Sequence, residues 1–378
     1  MPSNPNRLPN LTGHIVDDGS LQLEKLVGAG SYGNLYRACD ADSSSSSRVF
    51  AVKCLAKPNL DSRDAKLNER ERFLHRKVSS HPNIVTFHRS FVDDEHEYFV
   101  MDFHRAGDMS RAIDDYVYYK DTPLIKSTFA GIVEAVLFCH RQGVFHRDIK
   151  PENILVDILG GNPCLTDFGL ATMSIVSETL TGTKAYMPPE SFQSAYHPED
   201  SDAWALSIAL INLVTRQWPW TSSNPCRTGS FKQYLASPEN YLRESLPISP
   251  PLVDLLTRSL RLNSSERLSI EEFASEVQEI DELFISDEDL AQAPVQVRRA
   301  ANCSVRGVAY VQAVFQAVVD VVAGVDSSTS GSEDSVPDLA RPTPDPLTPL
   351  RLQPEVVEPK RKPGKVKCLV RGLRFWRK

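Results

Sequence analysis

The sequence predicts an α+β, bilobal fold in which a small antiparallel sheet lobe with one helix precedes a larger, mainly helical lobe. Up to about residue 103, apolar segments with strand character surround one segment of helical periodicity. From Leu124 to His140 apolar residues recur every four positions, and residues 202–214 are apolar on nearly every face, as expected of a buried helix. With 378 residues, 41% of them hydrophobic, the chain can fill a core in each lobe.

Changes in composition divide the chain into three parts. Residues 1–20 are predicted to be a flexible N-terminal arm, without the apolar run of a signal peptide. Residues 21–283 are predicted to be the folded domain, with the small lobe over 21–103 and the large lobe over 104–283. Residues 284–378 are predicted to be a C-terminal tail.

The small lobe begins with a strand from Leu21 that runs into a glycine-rich turn. The elements predicted after the turn are strands over 34–39 and 48–55, a helix over 61–78, and strands over 84–91 and 97–102. Five serines at 43–47 fall between two of these strands, and a lengthened hairpin loop accounts for them without a special function.

The glycine-rich turn, Gly28-Ala29-Gly30-Ser31-Tyr32-Gly33, has the pattern G-x-G-x-x-G. Its backbone N–H groups can approach phosphates closely, although a simple hairpin turn would account for the same pattern. A dinucleotide-binding fold requires a helix after the glycines, and here a strand follows. The context therefore favours a phosphate-binding turn within a sheet.

Lys53 lies on the third predicted strand, where its ammonium group could reach the α- and β-phosphates of a nucleotide if an acid fixed its position. Glu69 and Glu71 both compete for that role. Glu71 follows Leu67 by four residues on the apolar stripe of its helix, whereas Glu69 points roughly 200° away. We expect Glu71 to pair with Lys53.

The most specific string in the sequence is His146-Arg147-Asp148-Ile149-Lys150-Pro151-Glu152-Asn153. In such a string, Asp148 can accept a hydroxyl proton, Lys150 can neutralise charge on a moving phosphoryl group, and Asn153 offers an oxygen to Mg²⁺. Asp167-Phe168-Gly169 follows fourteen residues later, and its carboxylate can bind the Mg²⁺ that bridges the phosphates. The two motifs in this order predict phosphoryl transfer.

In this order the motifs resemble those of the eukaryotic protein kinase family, over about residues 21–283. The resemblance implies transfer of the γ-phosphate of ATP to a protein hydroxyl, with Mg²⁺ as the metal cofactor. Residues 186–190 resemble the segment that closes the activation loop, and Arg267 stands where the family pairs an arginine with Glu190. The chain departs from the common pattern at Leu35, Pro188 and Ser207, none of which is a charged catalytic group.

The resemblance also implies the residues of the site. It places Met101 at the back of the adenine pocket, residues 102–104 at the hinge and Asp108 at the ribose. The implied ATP-binding residues are Gly28, Ala29, Gly30, Ser31, Gly33, Leu35, Ala51, Lys53, Met101, Asp102, His104, Asp108 and Leu155. The implied catalytic residues are Lys53, Glu71, Asp148 and Lys150, and the implied metal ligands are Asn153 and Asp167.

The sequence also indicates which kind of substrate hydroxyl is phosphorylated. A lysine two residues after Asp148, here Lys150, resembles the pattern of serine/threonine kinases and differs from that of tyrosine kinases. Thr183 supports the same interpretation. Finer resemblance is to a fungal branch of regulatory serine/threonine kinases. The segments that carry it are residues 73–75, 79–83, 211–213 and 218–220.

Two further expectations concern substrates and activation. Asp108 and Glu152 align with acids that meet arginines in basophilic kinases, so we expect protein substrates with Arg before the Ser or Thr. Arg147 could receive a phosphate from the activation loop, although the loop hydroxyls could equally do no more than solvate it. The candidate hydroxyls are those of Ser174, Ser177, Thr179 and Thr181.

Two other classes of protein fit the sequence less well than an active kinase does. An inactive kinase-like scaffold usually lacks at least one catalytic group, and here all five are present: Lys53, Glu71, Asp148, Asn153 and Asp167. A nucleotide-binding protein of another fold is disfavoured because no G-K-[ST] follows the glycines.

The tail combines three predicted parts: an amphipathic helix over 303–323, a disordered linker over 326–359 and a basic end over 360–378. The basic end carries nine Lys or Arg and no acid, which leaves a formal charge of −16 on the rest of a chain whose net charge is −7. It could bind import factors, bind anionic lipid or remain a solvated tail.

The expected location is cytoplasmic and, through the basic end, also nuclear. No nucleic acid partner is expected for the kinase domain. The seven cysteines form no C-x-x-C pair, so reduced thiols are expected.

Overall fold

The computed structural model describes residues 8–30, 33–41, 48–192, 195–226, 229–302, 305, 308, 356 and 357. Within these residues a sheet lobe with one helix precedes a lobe made mainly of helices. This arrangement confirms the predicted α+β, bilobal fold.

The small lobe is built on one antiparallel sheet. Its elements are β1 (Ile15–Val16), β2 (Leu21–Gly30), β3 (Gly33–Asp40), β4 (Val49–Ala56), α1 (Arg63–Val78), β5 (Phe87–Val92) and β6 (His96–Asp102). The strands are ordered β1-β2-β3-β4-β6-β5. Alternate residues point to one face, where Leu21, Leu23, Tyr36 and Val52 are buried together. Helix α1 begins at a serine cap, since the Ser62 hydroxyl accepts a hydrogen bond from the helix backbone.

Two details of the small lobe differ from the prediction. Residues 8–20 pack against the sheet instead of forming a free arm, because β1 pairs with β2 and the Leu11 N–H donates to the Tyr36 hydroxyl at 2.9 Å. The strand expected over 84–91 begins only at Phe87. Residues just before it turn to the large lobe, where the Val85 N–H donates to the Leu165 carbonyl oxygen at 3.0 Å.

The large lobe is mainly helical. Its elements are α2 (Met109–Asp114), α3 (Thr122–Arg141), β7 (Ile154–Leu155), β8 (Cys164–Leu165), β9 (Gly182–Thr183), α4 (Pro198–Thr215), α5 (Ser230–Ala236), α6 (Pro238–Ser245), α7 (Pro250–Ser259), α8 (Ile270–Glu279) and α9 (Asp287–Gln292). Helix α4 is buried along most of its length, as predicted for residues 202–214. Among the described helices, α3 has the length and apolar composition to cross a membrane, and half of that stretch is buried inside the lobe.

Most of the predicted tail lies outside the described residues. Of the helix predicted over 303–323, Val305 and Val308 are described and both are helical. Within the predicted linker, β10 (Val356–Val357) is a strand that pairs antiparallel with β9, so these two residues differ from a disordered linker. The remainder of 326–359, the basic end 360–378 and the serines at 43–47 lie outside the described residues.

The cysteines are partly as predicted. The four buried cysteines, Cys39, Cys54, Cys139 and Cys164, are free thiols. Cys226 is disulfide-bonded, with its partner outside the described residues, so the expectation of reduced thiols is wrong there. Local spacing could not indicate this bond, because no other cysteine lies near Cys226 in the sequence.

Candidate active site

An ion-pair cluster joins the two lobes. Lys53 Nζ lies 2.5 Å from Glu71 Oε1 and 3.7 Å from Asp167 Oδ1. Burial by itself would lower the pKa of Lys53, but attraction to the two carboxylates outweighs it and raises the pKa, so the ammonium group stays charged. Glu69, the alternative partner, is exposed. The structure thus places Glu71 beside Lys53.

Asp148 is held on both of its carboxylate oxygens. Oδ1 accepts hydrogen bonds from the Thr183 N–H at 2.9 Å and the Thr183 hydroxyl at 2.7 Å. Oδ2 accepts from Lys150 Nζ at 2.6 Å and from Asn153 Nδ2 at 3.1 Å. These bonds fix the orientation of a carboxylate that is only 5% exposed. Such an orientation suits a group that must accept a proton from one direction.

The backbone before Asp148 is anchored by Asp202, a buried carboxylate of α4. Asp202 accepts hydrogen bonds from the His146 N–H at 2.8 Å and the Arg147 N–H at 2.7 Å, and its Oδ2 lies 2.9 Å from His140 Nε2. It was not among the predicted site residues. The signal that could have identified it is a single acid in an otherwise apolar stretch, because a buried carboxylate needs several donors.

Arg147 connects the catalytic loop to the activation loop. Its backbone is left-handed, with φ 67°, and its Nη1 lies 3.0 Å from the Ser177 hydroxyl and 3.2 Å from the Thr179 hydroxyl. Its Nε donates to the Leu170 carbonyl oxygen at 2.7 Å. Of the four candidate phosphorylation sites, these two hydroxyls face Arg147. Thr179 is the exposed one of the pair.

A column of aromatic rings crosses from one lobe to the other. Its ring centroids are separated by 5.4 Å from Phe87 to His75, 4.8 Å from His75 to Phe168 and 5.0 Å from Phe168 to His146. His75 Nε2 lies 2.7 Å from the Val85 carbonyl oxygen. Burial lowers the pKa of His75 to about 4, so its ring is neutral at pH 7 and packs as part of the core.

Asn153 and Asp167 have the donor chemistry for Mg²⁺. Because Asn153 Nδ2 donates to the Asp148 carbonyl oxygen at 2.9 Å, its amide oxygen faces away from that bond. Burial would raise the pKa of Asp167, but neighbouring positive charge, chiefly Lys53, lowers it below the usual range. No cluster of three or more acidic, His or Cys side chains is placed to hold a metal among the described residues. Two oxygen donors fit Mg²⁺, which keeps water and phosphate as its other ligands.

The glycine-rich turn joins β2 to β3. Gly28, Ala29 and Gly30 end β2, and Ser31 lies outside the described residues. A Cβ added at Gly30 would meet nothing within 4 Å, so this backbone is open to a ligand. At Gly33 φ is +116° and a Cβ would lie 2.3 Å from the Cys54 carbonyl oxygen, so that position requires glycine for packing.

The residues expected around the adenine ring come together from both lobes. Ala51 and Met101 belong to one apolar cluster, against which Leu35 and Leu155 are partly buried. Such an apolar cleft suits a flat heterocycle. At the hinge, Asp102 Oδ1 lies 2.7 Å from His88 Nε2, and burial lowers the pKa of His104. Asp108, expected at the ribose, caps α2 by accepting from the Arg111 N–H at 2.9 Å.

Outside the cleft, the expected pair of Glu190 and Arg267 is present. Arg267 Nη1 donates to Glu190 Oε1 at 3.0 Å, and the guanidinium carbon lies 5.0 Å from the centroid of a Trp204 ring. The pair joins the end of the activation segment to the core of the large lobe. It is a packing feature and takes no part in the chemistry.

Comparison with known proteins agrees with this geometry. The protein kinase domain family matches residues 21–277. The chain is 34% identical over 290 residues to a negative regulator of sexual conjugation and meiosis from Schizosaccharomyces pombe, covering 70% of this chain and 61% of the relative. It is 31% identical over 267 residues to the serine/threonine-protein kinase VHS1 from Saccharomyces cerevisiae, covering 65% and 57%.

A more distant relative is the human ribosomal protein S6 kinase alpha-3, which is 30% identical over 259 residues, covering 67% of this chain and 34% of the relative. The matches thus span between one third and three fifths of the lengths of these relatives. The resemblance predicted from the motifs is confirmed: this chain belongs to the protein kinase domain family.

Proposed function

We propose that this protein is an ATP-dependent serine/threonine protein kinase with a role in regulatory signalling. The observation that carries the proposal is the fixed Asp148 carboxylate, bonded to Lys150 and Thr183 in the same cleft as the Lys53–Glu71 pair. A scaffold that had lost activity would have no need to orient a buried carboxylate from four donors. Relatives named as serine/threonine-protein kinases support the choice of hydroxyl.

Each residue has a defined task in this reaction. ATP with Mg²⁺ supplies the phosphoryl group and neutralises much of its charge when bound, and Asn153 and Asp167 would hold the metal. Lys53, fixed by Glu71, would contact the α- and β-phosphates. Asp148 orients the substrate hydroxyl and takes its proton, and the adjacent ammonium group of Lys150 offsets negative charge at the reacting centre.

The test is transfer of labelled phosphate from ATP to arrayed peptides by the purified full-length protein. We expect labelling of Ser and Thr peptides, with a loss of at least about a hundredfold in Lys53→Met and in Asp167→Asn. Lys57→Met is the matched control, because Lys57 is exposed just beyond β4. Magnesium-dependent transfer that persists in both site variants would contradict the proposal.

We also infer a preference for Arg upstream of the target hydroxyl. Two acids flank the catalytic loop: Glu152 lies in the turn Pro151–Asn153, and Asp108 is bridged to Leu155. A guanidinium group paired with either carboxylate would gain about tenfold in rate constant. Peptides with Arg or Ala at upstream positions test this inference, and the Arg advantage should shrink in Glu152→Gln. Equal rates on both peptides would contradict it.

A further inference from the structure

The residues that precede the family match cover the outer face of the small-lobe sheet. We call residues 8–16 the N-terminal strap; the match itself spans residues 21–277. The strap ends in β1, which pairs with β2, and the Gly13 N–H donates to the Leu23 carbonyl oxygen at 2.7 Å. Leu11 is 7% exposed and packs into the apolar cluster on that face. The strap is therefore packed as part of the small lobe.

The Tyr36 hydroxyl is the centre of a hydrogen-bond network that joins the strap to β3. It accepts from the Leu11 N–H at 2.9 Å and from Asn34 Nδ2 at 3.2 Å, and it donates to the Pro9 carbonyl oxygen at 3.3 Å. Asn34 Nδ2 also donates to that carbonyl oxygen, at 3.1 Å. A hydroxyl has one donor and two acceptor positions, so all three are used here. A buried network satisfied in this way favours one arrangement of its parts.

Asn34 and Tyr36 lie on the strand that leaves the glycine-rich turn. Asn34 directly follows Gly33 and pairs with Ala29 on the other side of the turn. Side chains alternate along a strand, so Leu35 packs beside the apolar cluster of the adenine cleft while its two neighbours face the strap. The network thus holds the backbone next to the turn from the face opposite the cleft.

Asn34 is an unusual residue for this place, because asparagine is disfavoured in strands and a buried polar side chain needs partners. It is only 4% exposed, and the strap supplies one of its acceptors. The turn beside it has little of its own to fix it, since a Cβ added at Gly30 would meet nothing within 4 Å. Glycines lose more backbone freedom on ordering than other residues, and a flank that is already held leaves less freedom to be lost when phosphates bind.

We propose that Asn34 and Tyr36 are positioning residues for ATP, which through their network with the strap hold the glycine-rich turn ready to bind the phosphates. Both side chains lie on the strap side of the sheet and act through the backbone of β3. Loss of the network should therefore weaken binding of the phosphates and leave binding of the adenine and ribose unchanged. The inference rests on the kinase activity proposed above, and its tests keep the two apart.

The first test measures nucleotide binding by the full-length protein carrying Tyr36→Phe, which keeps the ring and removes only the hydroxyl. We expect the Kd for the non-hydrolysable analogue AMP-PNP with Mg²⁺ to rise about fivefold, as for loss of one hydrogen bond, while the Kd for adenosine stays unchanged. Tyr98→Phe is the matched control, because Tyr98 is buried in the same cluster and its hydroxyl bonds to Asp93 and not to the strap.

Isothermal titration calorimetry gives both dissociation constants for each protein. An unchanged Kd for AMP-PNP in Tyr36→Phe would overturn the proposal. An equal rise in the Kd for AMP-PNP and for adenosine would also overturn it, because general damage to the small lobe does not separate phosphates from the base. A wild-type protein that binds no AMP-PNP would contradict the proposed kinase activity itself.

The second test is kinetic and adds Asn34→Ala, which removes the donor and leaves the hydroxyl of Tyr36. We expect the KM for ATP to rise about fivefold, with kcat and the peptide KM unchanged. In the double variant with Tyr36→Phe, the rise should be smaller than the product of the two single effects, since both residues act through one network. A wild-type KM for ATP in active Asn34→Ala, or independent effects in the double variant, would overturn the proposal and leave the kinase assignment intact.

Discussion

At the scale of single residues, Asp202 shows how a site depends on a group that touches no substrate. The carboxylate is fully buried and holds two backbone N–H groups of the catalytic loop and one histidine. Removing it would leave these donors without an acceptor, at about 1–3 kcal/mol each. It would also free the backbone that aims Asp148.

We predict that Asp202→Ala lowers the free energy of unfolding by roughly 3 kcal/mol and kcat by at least about tenfold, with a smaller change in the peptide KM. Asp202→Asn keeps one acceptor oxygen, so its free energy of unfolding and its kcat should lie between those of wild type and Asp202→Ala. Glu199→Ala is the control, because Glu199 is exposed in the first turn of the same helix. Urea unfolding and steady-state kinetics below the melting temperature measure both effects. A wild-type kcat in Asp202→Ala would show that Asp202 does not position the loop.

His75 makes the stability of the protein depend on pH. Its pKa falls from 6.5 to about 4 on folding, chiefly through burial between Phe87 and Phe168. The unfolded chain therefore binds a proton that the folded chain excludes between these pH values. The contribution of the buried, neutral His75 ring to the free energy of unfolding is fully present above pH 6.5 and is lost as the pH falls toward 4. The titratable groups that act on its ring are Lys53, Asp167 and His146.

We predict that His75→Leu removes roughly 3 kcal/mol of pH dependence from the unfolding free energy in this interval. The comparison is the difference between variant and wild type in urea unfolding from pH 7 to pH 4, because other groups titrate in both proteins. His14→Leu serves as control, since His14 is exposed. Parallel pH curves for wild type and His75→Leu would contradict the prediction.

At the scale of elements, the activation loop carries an exposed hydroxyl that faces a cation. Thr179 lies 3.2 Å from Arg147 Nη1, and Arg70 reaches the same loop by donating to the Gly169 carbonyl oxygen at 3.0 Å. Arg147 donates to the adjacent Leu170 carbonyl oxygen, so the two guanidinium groups meet the same turn of the loop, and burial together with repulsion from Arg147 lowers the pKa of Arg70. A phosphate on Thr179 would relieve that repulsion and tie the loop to both.

We predict that phosphorylation of Thr179 raises kcat/KM by about tenfold and that Thr179→Ala lacks this increase. Ser174→Ala is the control, since the Ser174 hydroxyl bonds to the Val176 carbonyl oxygen at 2.5 Å and not to Arg147. Mass spectrometry of the active protein, before and after phosphatase treatment, reports the phosphate. Full activity in a variant with all four loop hydroxyls removed would mean that they only solvate the loop.

The elements also show where sequence patterns stop being informative. The choice of Glu71 needed only the periodicity of one helix, and the structure places that side chain beside Lys53. The start of β5 could not be predicted, because Val85 pairs with Leu165 of the other lobe and local β propensity does not choose between partners.

At the scale of the whole molecule, the order of the motifs was enough to predict the two lobes. What it could not predict are contacts between residues distant in sequence. Asp202 meets Arg147 across 55 residues, and neither neighbourhood alone indicates the pair. Val356 pairs with Thr183 although the surrounding composition is that of a linker, because pairing on a strand edge requires only a short extended segment.

Charge is distributed unequally along the chain. The nine basic residues of 360–378 stand against a formal charge of −16 on the rest of the chain. We expect this end to direct the protein to the nucleus, because the start Lys360-Arg361-Lys362-Pro363 resembles import signals. Deleting 360–378 removes none of the residues of the candidate active site, so peptide phosphorylation should be unchanged while a fluorescent fusion moves from nucleus to cytoplasm.

Two other outcomes of that deletion are distinguishable. Loss of a signal at the plasma membrane would indicate an anchor on anionic lipid, in which Phe375 and Trp376 enter the interface. An unchanged cellular distribution of the fusion would mean that the basic end is only a solvated tail. The matched control replaces the basic residues by glutamine at constant length, which separates charge from chain length. If the deletion instead changed the rate of peptide phosphorylation, the basic end would be acting on the acidic lobes, since opposite charges on one chain attract at short range.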